Sequence, residues 1–185
     1  MSGAARKLWQ IKFKYWVLIS LSGVLVGLDQ ITKSMILDKF RLGESISVLQ
    51  GYFNITYVQN KGAAFGMLAQ ANPAFRVPFF LIVPLVALGS IAYIFRKIPD
   101  QDKKLAIALS LVIGGAVGNL IDRVTLGYVV DFLDFHWQWG YHFPAFNVAD
   151  SAICVGVGLV ILDLFAPEEG KSHRKGSRAN VPSSH

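Results

Sequence analysis

The chain has 185 residues, 53% of them hydrophobic and only 16% charged, with a formal net charge of +6. That charged fraction is well below the roughly 25% of a soluble domain, and the mean hydropathy of +0.44 exceeds what one water-soluble core of this length can bury. Intrinsic disorder over most of the chain is excluded for the same reason, and the single cysteine excludes a disulfide framework or a Cys-rich metal site. The basic excess lies beside apolar runs, so it points to a membrane and not to nucleic acid.

In chain order, residues 1–14 form a basic N-terminus with Arg6, Lys7, Lys12 and Lys14. The apolar run from Tyr15 to Leu28 is shorter than the ~20 residues that a membrane helix needs. It becomes long enough if it continues to Leu37 through Asp29 and Lys33, which are spaced i,i+4 and can pair on one helix face. A basic start before an apolar run also describes a signal peptide. No small-x-small cleavage site follows this one, so a retained span over about 15–37 is expected.

Residues 38–76 follow as an outer segment. Ser45–Val48 and Phe53–Val58 are rich in β-branched and aromatic residues and are separated by Gln50-Gly51-Tyr52, which predicts a small hairpin. The amphipathic stretch Lys61–Leu68 predicts a short interfacial helix. Uncharged runs predict spans over about 77–95 and 104–123, and a fourth over about 143–164 is interrupted by Asp150. The tail, residues 167–185, is rich in Ser, Gly and Lys and is expected to be disordered. The fold class is therefore an α-helical polytopic membrane protein, with four transmembrane helices in one unit over 15–166 and a small β-rich cradle outside.

Twelve of the 18 Lys and Arg residues fall before span one, between spans two and three, or after span four. The positive-inside rule then puts both termini in the cytoplasm. The scarce polar residues gather toward the opposite, outer side. Asp29 and Lys33 lie near the end of span one, and Asn119, Asp122 and Arg123 at the end of span three. Asn147 and Asp150 lie in span four, with Asp150 about 10 Å into its helix at 1.5 Å per residue. Asp131 falls in the outer loop between spans three and four. Ionisable groups inside spans are costly and usually functional. Two carboxylates held close share a proton, so one can activate water while the other polarises a carbonyl. Such chemistry needs no metal, no cofactor and no serine or cysteine nucleophile.

The motifs "VVDF" at Val129–Phe132 and "FNVADS" at Phe146–Ser151 resemble the signature blocks of bacterial lipoprotein signal peptidase, or signal peptidase II. "GNLIDR" at Gly118–Arg123, "NKGAAFG" at Asn60–Gly66 and "LDQITK" at Leu28–Lys33 resemble its other blocks, in family order and without departure at the motif positions. The resemblance covers about Tyr15–Leu164. It implies an intramembrane aspartyl endopeptidase with Asp131 and Asp150 as the catalytic pair. Asn60, Asn119, Arg123, Asn147, Asp29 and Asp122 match positions that line or support that site. It further implies diacylglyceryl-modified prolipoproteins as substrates, cut on the N-terminal side of the modified cysteine. Inhibition by globomycin, contact with membrane lipid and residence in the bacterial inner membrane complete what it implies; a monomer is expected besides.

Other readings of single residues stand beside this one. Asp131 alone fits a solvated turn acid, and Asp134 competes for its role. Asp122 and Arg123 can pair at a helix end, and Asp29 with Lys33 can merely position span one. His136 and His142 lack a third metal ligand at suitable spacing and fit an aromatic belt with Trp137, Trp139 and Tyr141. A proton-coupled carrier also places carboxylates in the membrane, but it needs polar groups through the whole thickness, and the inner halves here are nearly apolar. A structural membrane protein using polar residues as interhelical glue is the third class.

Overall fold

The structure is a computed structural model that describes residues 12–62, 72–137, 140 and 143–165. The expected interfacial helix from Lys61 to Leu68 falls mainly outside the described residues, as do most of the basic N-terminus, His142 and the tail. Among the described residues, four helices are long and apolar enough to cross a membrane: α1 Phe13–Lys39, α2 Pro73–Lys97, α3 Lys103–Thr125 and α4 Val148–Phe165. Three strands, β1 Ser45–Leu49, β2 Phe53–Asn60 and β3 Val129–Phe135, form one antiparallel sheet in that order.

The helix ends follow local chemistry. Asn72 caps α2 by accepting the Ala74 N–H at 2.9 Å, and Pro73 sits at the first turn, where its missing N–H costs nothing. Pro78 and Pro84 stand inside α2, a placement that membrane helices tolerate. Asp102 caps α3 through the Leu105 N–H. The hairpin predicted from Gln50-Gly51-Tyr52 forms, with Gly51 at φ +82°, a conformation that a side chain would strain.

Two expectations need correction. The fourth helix starts at Val148, not near residue 143. Residues 143–147 lead into it in extended form, and Phe146 bridges to Leu133. Pro144 disfavours a helix through this stretch, and Asn147 caps the new start. Asp150 is therefore the third helical residue, about 3 Å along the axis from the first, and not 10 Å deep. The outer loop after span three also contains a strand. Asp131 sits within the seven-residue β3, six of whose residues have partners in β2.

Helix α3 is the centre of the bundle. More than half of its most apolar window is buried inside the protein, against none of that in α2. Small residues let its neighbours approach: Gly114 faces Ser22 and Leu25 of α1, while Gly115 faces Ala149 and Ile153 of α4. A Cβ at Gly115 would run into the Ala149 carbonyl oxygen, which is backbone and cannot yield cheaply. Gly115→Ala is therefore expected to cost about 1–3 kcal/mol through overpacking, read as a lowered thermal midpoint in detergent. An unchanged midpoint would mean that α4 is not held this tightly. Away from α3 the helices expose apolar side chains such as Trp16, Ile31, Leu85, Val86 and Leu162. An apolar girdle of that extent belongs against lipid.

At the end of the bundle away from the sheet, Lys14 is 3% exposed. Its ammonium donates to the Ile98 carbonyl at 2.8 Å and pairs with Asp100 at 3.3 Å. This ties the start of α1 to the α2–α3 turn and satisfies a carbonyl at the α2 C-terminus.

Candidate active site

The polar residues converge where the ends of α1 and α3, the start of α4 and the strand β3 meet. Asn147 and Asp150 build the start of α4 between them. The Asn147 Oδ1 accepts the Asp150 N–H at 2.9 Å, and the Asp150 Oδ2 accepts the Asn147 N–H at 3.2 Å. This reciprocal capping box satisfies two backbone donors. It also holds the Asp150 carboxylate at a helix N-terminus, where the helix dipole favours negative charge.

The Asn147 side chain, fully buried, reaches in the other direction. Its Nδ2 donates to Asp131 Oδ1 at 2.7 Å and lies within hydrogen-bond distance of the Val130 carbonyl and Asn119 Oδ1. One residue thus binds both carboxylates. Asn60 Nδ2 donates to the second oxygen of Asp131 at 2.9 Å, and Asn119 Nδ2 to Asp150 Oδ1 at 2.7 Å. Amide donors hold each carboxylate while the charges of the two aspartates act on each other. Burial first, and the charge of Asp150 second, push the Asp131 carboxyl up to about 7. The amides of Asn60 and Asn147 oppose that rise.

Arg123 donates to the Asn119 carbonyl at 3.2 Å and packs over the Phe80 ring of α2. Its charge reaches Asp150, Asp131 and Asp122. A narrow opening lined by Asn60, Lys61, Arg76, Phe80, Arg123 and Tyr128 lies beside Arg123 and Asn60. The Tyr128 hydroxyl in its wall is 3.0 Å from that of Tyr57, and this bond chiefly pushes Tyr128 up to about 12.

Asp29 and Asp122 sit one layer behind. Both bind the buried Lys33 ammonium, at 2.8 and 3.0 Å, and Lys33 also donates to Asn119 Oδ1 at 2.9 Å. The pairing of Asp122 with Arg123 that adjacency suggests gives way to the one with Lys33. Gln30 donates to Asp122 at 2.9 Å. All eight residues expected at the site therefore belong to one connected cluster. The rival Asp134 does not join it and lies near Asn54 and Thr56 across the sheet. Sequence reading misses Gln30 and gives Lys33 only Asp29 as a partner. Its signal was present, because a glutamine and a lysine inside an apolar span need buried partners. Among the described residues, no group of three or more His, Cys, Asp or Glu is arranged to hold a metal ion.

The profile of the family described as signal peptidase II matches residues 21–166. A Geobacter metallireducens protein named lipoprotein signal peptidase is 49% identical over 162 residues, covering 88% of this chain and 98% of its own length. A protein of the same name from Geobacter sulfurreducens is 54% identical over 145 residues, covering 78% and 89%. Two solved structures, each described as a bacterial membrane enzyme, are 36% identical to this chain. They superpose with TM-scores of 0.71 and 0.72, covering 89% and 80% of this chain and 94% and 92% of their own.

Proposed function

The chain belongs to the signal peptidase II family, and from that premise we propose that Asp131 and Asp150 are its catalytic pair, acting on diacylglyceryl-modified prolipoproteins. The observation that carries this reading is the double role of Asn147, which holds Asp131 by its side chain and Asp150 by its backbone. The Gln30 amide likewise reaches both Asp29 and Asp122, but those two also pair with the buried Lys33, whereas amide donors and not a salt bridge hold Asp131 and Asp150 among the described residues.

The chemistry follows from one proton shared by the pair. The ionised carboxylate takes a proton from water as its oxygen bonds to the scissile carbonyl carbon. The protonated carboxyl gives its proton to the carbonyl oxygen. When the tetrahedral intermediate collapses, the C–N bond breaks and the proton on the first aspartate goes to the leaving amine. A proton from the intermediate's hydroxyl then restores the other carboxyl. Water attacks directly, with no acyl-enzyme. The pair titrates as a unit, so the starting proton belongs to both.

The basic residues Arg96, Lys97, Lys103 and Lys104 cluster at the end of the bundle opposite the pair. This supports cytoplasmic termini and an active site facing the outer leaflet. There the signal helix of a membrane-held precursor can approach sideways, and a lipid-modified cysteine reaches the carboxylates without leaving the bilayer. Asn60, Arg123 and the opening beside them support substrate contact.

Purified protein is expected to cut the lipid-modified precursor and leave the unmodified precursor intact, as read by gel shift. Equal cleavage of both would remove lipid recognition from the account. The pH dependence has a definite sign. Asp131, pushed up to about 7, sits above the ~3.9 of a free aspartate, so the folded protein keeps its proton through that window. The singly protonated pair then persists until the pH passes about 7, and turnover is expected to fall above it. The same linkage makes this carboxyl's contribution to stability greatest below about pH 4 and lost as pH rises through the folded value. A turnover rate that stays flat well into alkaline pH would contradict the shared proton.

A further inference from the structure

We propose that Lys33 is the positioning residue of the aspartate pair, fixing both catalytic backbones at once through Asp29 and Asp122. This rests on the assignment of Asp131 and Asp150 above. Lys33 is 2% exposed on α1 and touches neither catalytic carboxylate. Each of its three partners leads to one of them.

Asp29 holds Lys33 with Oδ2 and accepts the Ala149 N–H with Oδ1 at 3.0 Å. Ala149 is the residue immediately before Asp150. Asp122 holds Lys33 with Oδ2, and the same oxygen accepts the Val130 N–H at 3.0 Å. Val130 is the residue immediately before Asp131. The third partner, Asn119, takes the ammonium on Oδ1 and gives its Nδ2 to the Asp150 carboxylate. Three elements that lie far apart in sequence, the start of α4, the strand β3 and the amide of α3, are thus referred to a single charge.

The arrangement suits that task for a physical reason. A buried ammonium with three oxygen partners has every proton satisfied, and its neighbours cannot shift without leaving a charge unpaired in a low-dielectric site. Gly118 lets Asp29 pass so closely that a Cβ there would lie 2.7 Å from its Oδ2. Gln30 adds a donor to Asp122 and a contact to the Gly118 carbonyl.

Lys33 also acts through its field. The charged groups around it are Asp29 on α1, Asp122 and Arg123 on α3, Asp131 on β3 and Asp150 on α4, four carboxylates and one cation. The Lys33 charge opposes the upward push on Asp131. Removing it moves the titration of the pair upward.

The test is Lys33→Met in the full-length protein, beside Lys33→Arg and a neutralised variant, Lys33→Met with Asp29→Asn and Asp122→Asn. The neutralised protein keeps oxygen acceptors for both backbone N–H groups and strands no charge. Cleavage of the lipid-modified precursor is measured for kcat, KM and the pH profile of kcat. The proposal expects folded Lys33→Met, or the neutralised protein if Lys33→Met does not fold, to lose kcat about 100-fold. KM should stay within about threefold. The pH profile should shift to higher pH in Lys33→Met and to lower pH in the neutralised protein, which loses two negative charges against one positive. Lys33→Arg, which keeps the charge, should recover part of the rate.

Unchanged kcat and an unchanged profile in a folded variant would overturn the proposal. So would parallel loss of kcat, KM and folding with no shift in the profile, since that describes a structural pair alone. Failure of all three variants to fold would do the same. Asp131→Asn and Asp150→Asn run in parallel separate the two claims. If they retain turnover, the pair itself is wrong. If they lose it while Lys33→Met is normal, only the role of Lys33 falls.

Discussion

Asn147→Ala is expected to reduce turnover by about 100-fold and stability by about 2–4 kcal/mol. The stability loss combines a missing helix cap, worth about 1 kcal/mol, with a lost hydrogen bond to a carboxylate, worth about 1.5–3 kcal/mol. The turnover loss has a different origin. Without the Nδ2 bond at 2.7 Å, Asp131 keeps only the Asn60 amide as a side-chain donor, and its carboxylate is free to turn away from Asp150. Asn147→Ser separates the two effects. Serine caps a helix well but is too short to reach Asp131. Thermal unfolding should therefore show only the cap's share, about 1 kcal/mol, restored in the serine variant, while the cleavage rate stays low. Recovery of both would mean that Asn147 matters only as a cap.

Asp131→Asn and Asp150→Asn are each expected to lower kcat by roughly 10³-fold or more, since an amide can neither accept a proton from water nor return one. The fold should survive. Each asparagine keeps an oxygen for one of the two donors at its position and turns its NH2 toward the other, a loss of about 1–3 kcal/mol. Cooperative unfolding at a modestly lowered midpoint, combined with lost turnover, forms the expected pattern. The structural-protein alternative predicts instead that both variants remain fully functional.

Much of this architecture is legible in the sequence because it is written in local chemistry. The uncharged runs give the bodies of α2 and α3 to within a few residues, since a bilayer demands continuous apolar length. Gln50-Gly51-Tyr52 gives the hairpin because the turn needs a residue at positive φ. The start of α4 is misplaced because hydropathy alone runs on through Phe143–Phe146. The better signal is the spacing of Asn147 and Asp150, which are set three apart as a capping box requires, just after Pro144.

Two features lie beyond local reading. Strand β3 forms by pairing with β2, which sets Asp131 opposite Val58 across an irregular register. "VVDF" alone does not say whether it is strand or loop. The Lys33–Asp122 pair joins α1 to α3, and nothing in the i,i+4 spacing of Asp29 and Lys33 reveals a second acid from another helix. The resemblance supplied Asp122 as a site-supporting position, and the structure supplies the contacts through which it can act. The same limit explains the carrier alternative. Sequence shows intramembrane acids without showing that they meet, whereas here they close into one cluster at one end of the bundle.

If Asp131 and Asp150 together hydrolyse a lipid-modified precursor, the products carry the evidence. The most direct measurement is mass spectrometry of the products after the parent protein, Asp131→Asn and Asp150→Asn are each incubated with the same diacylglyceryl-modified prolipoprotein. The account predicts a mature product beginning at the lipid-modified cysteine from the parent protein, and intact precursor from both folded variants. The same product at a comparable rate from either variant, or cleavage elsewhere by the parent, would contradict it.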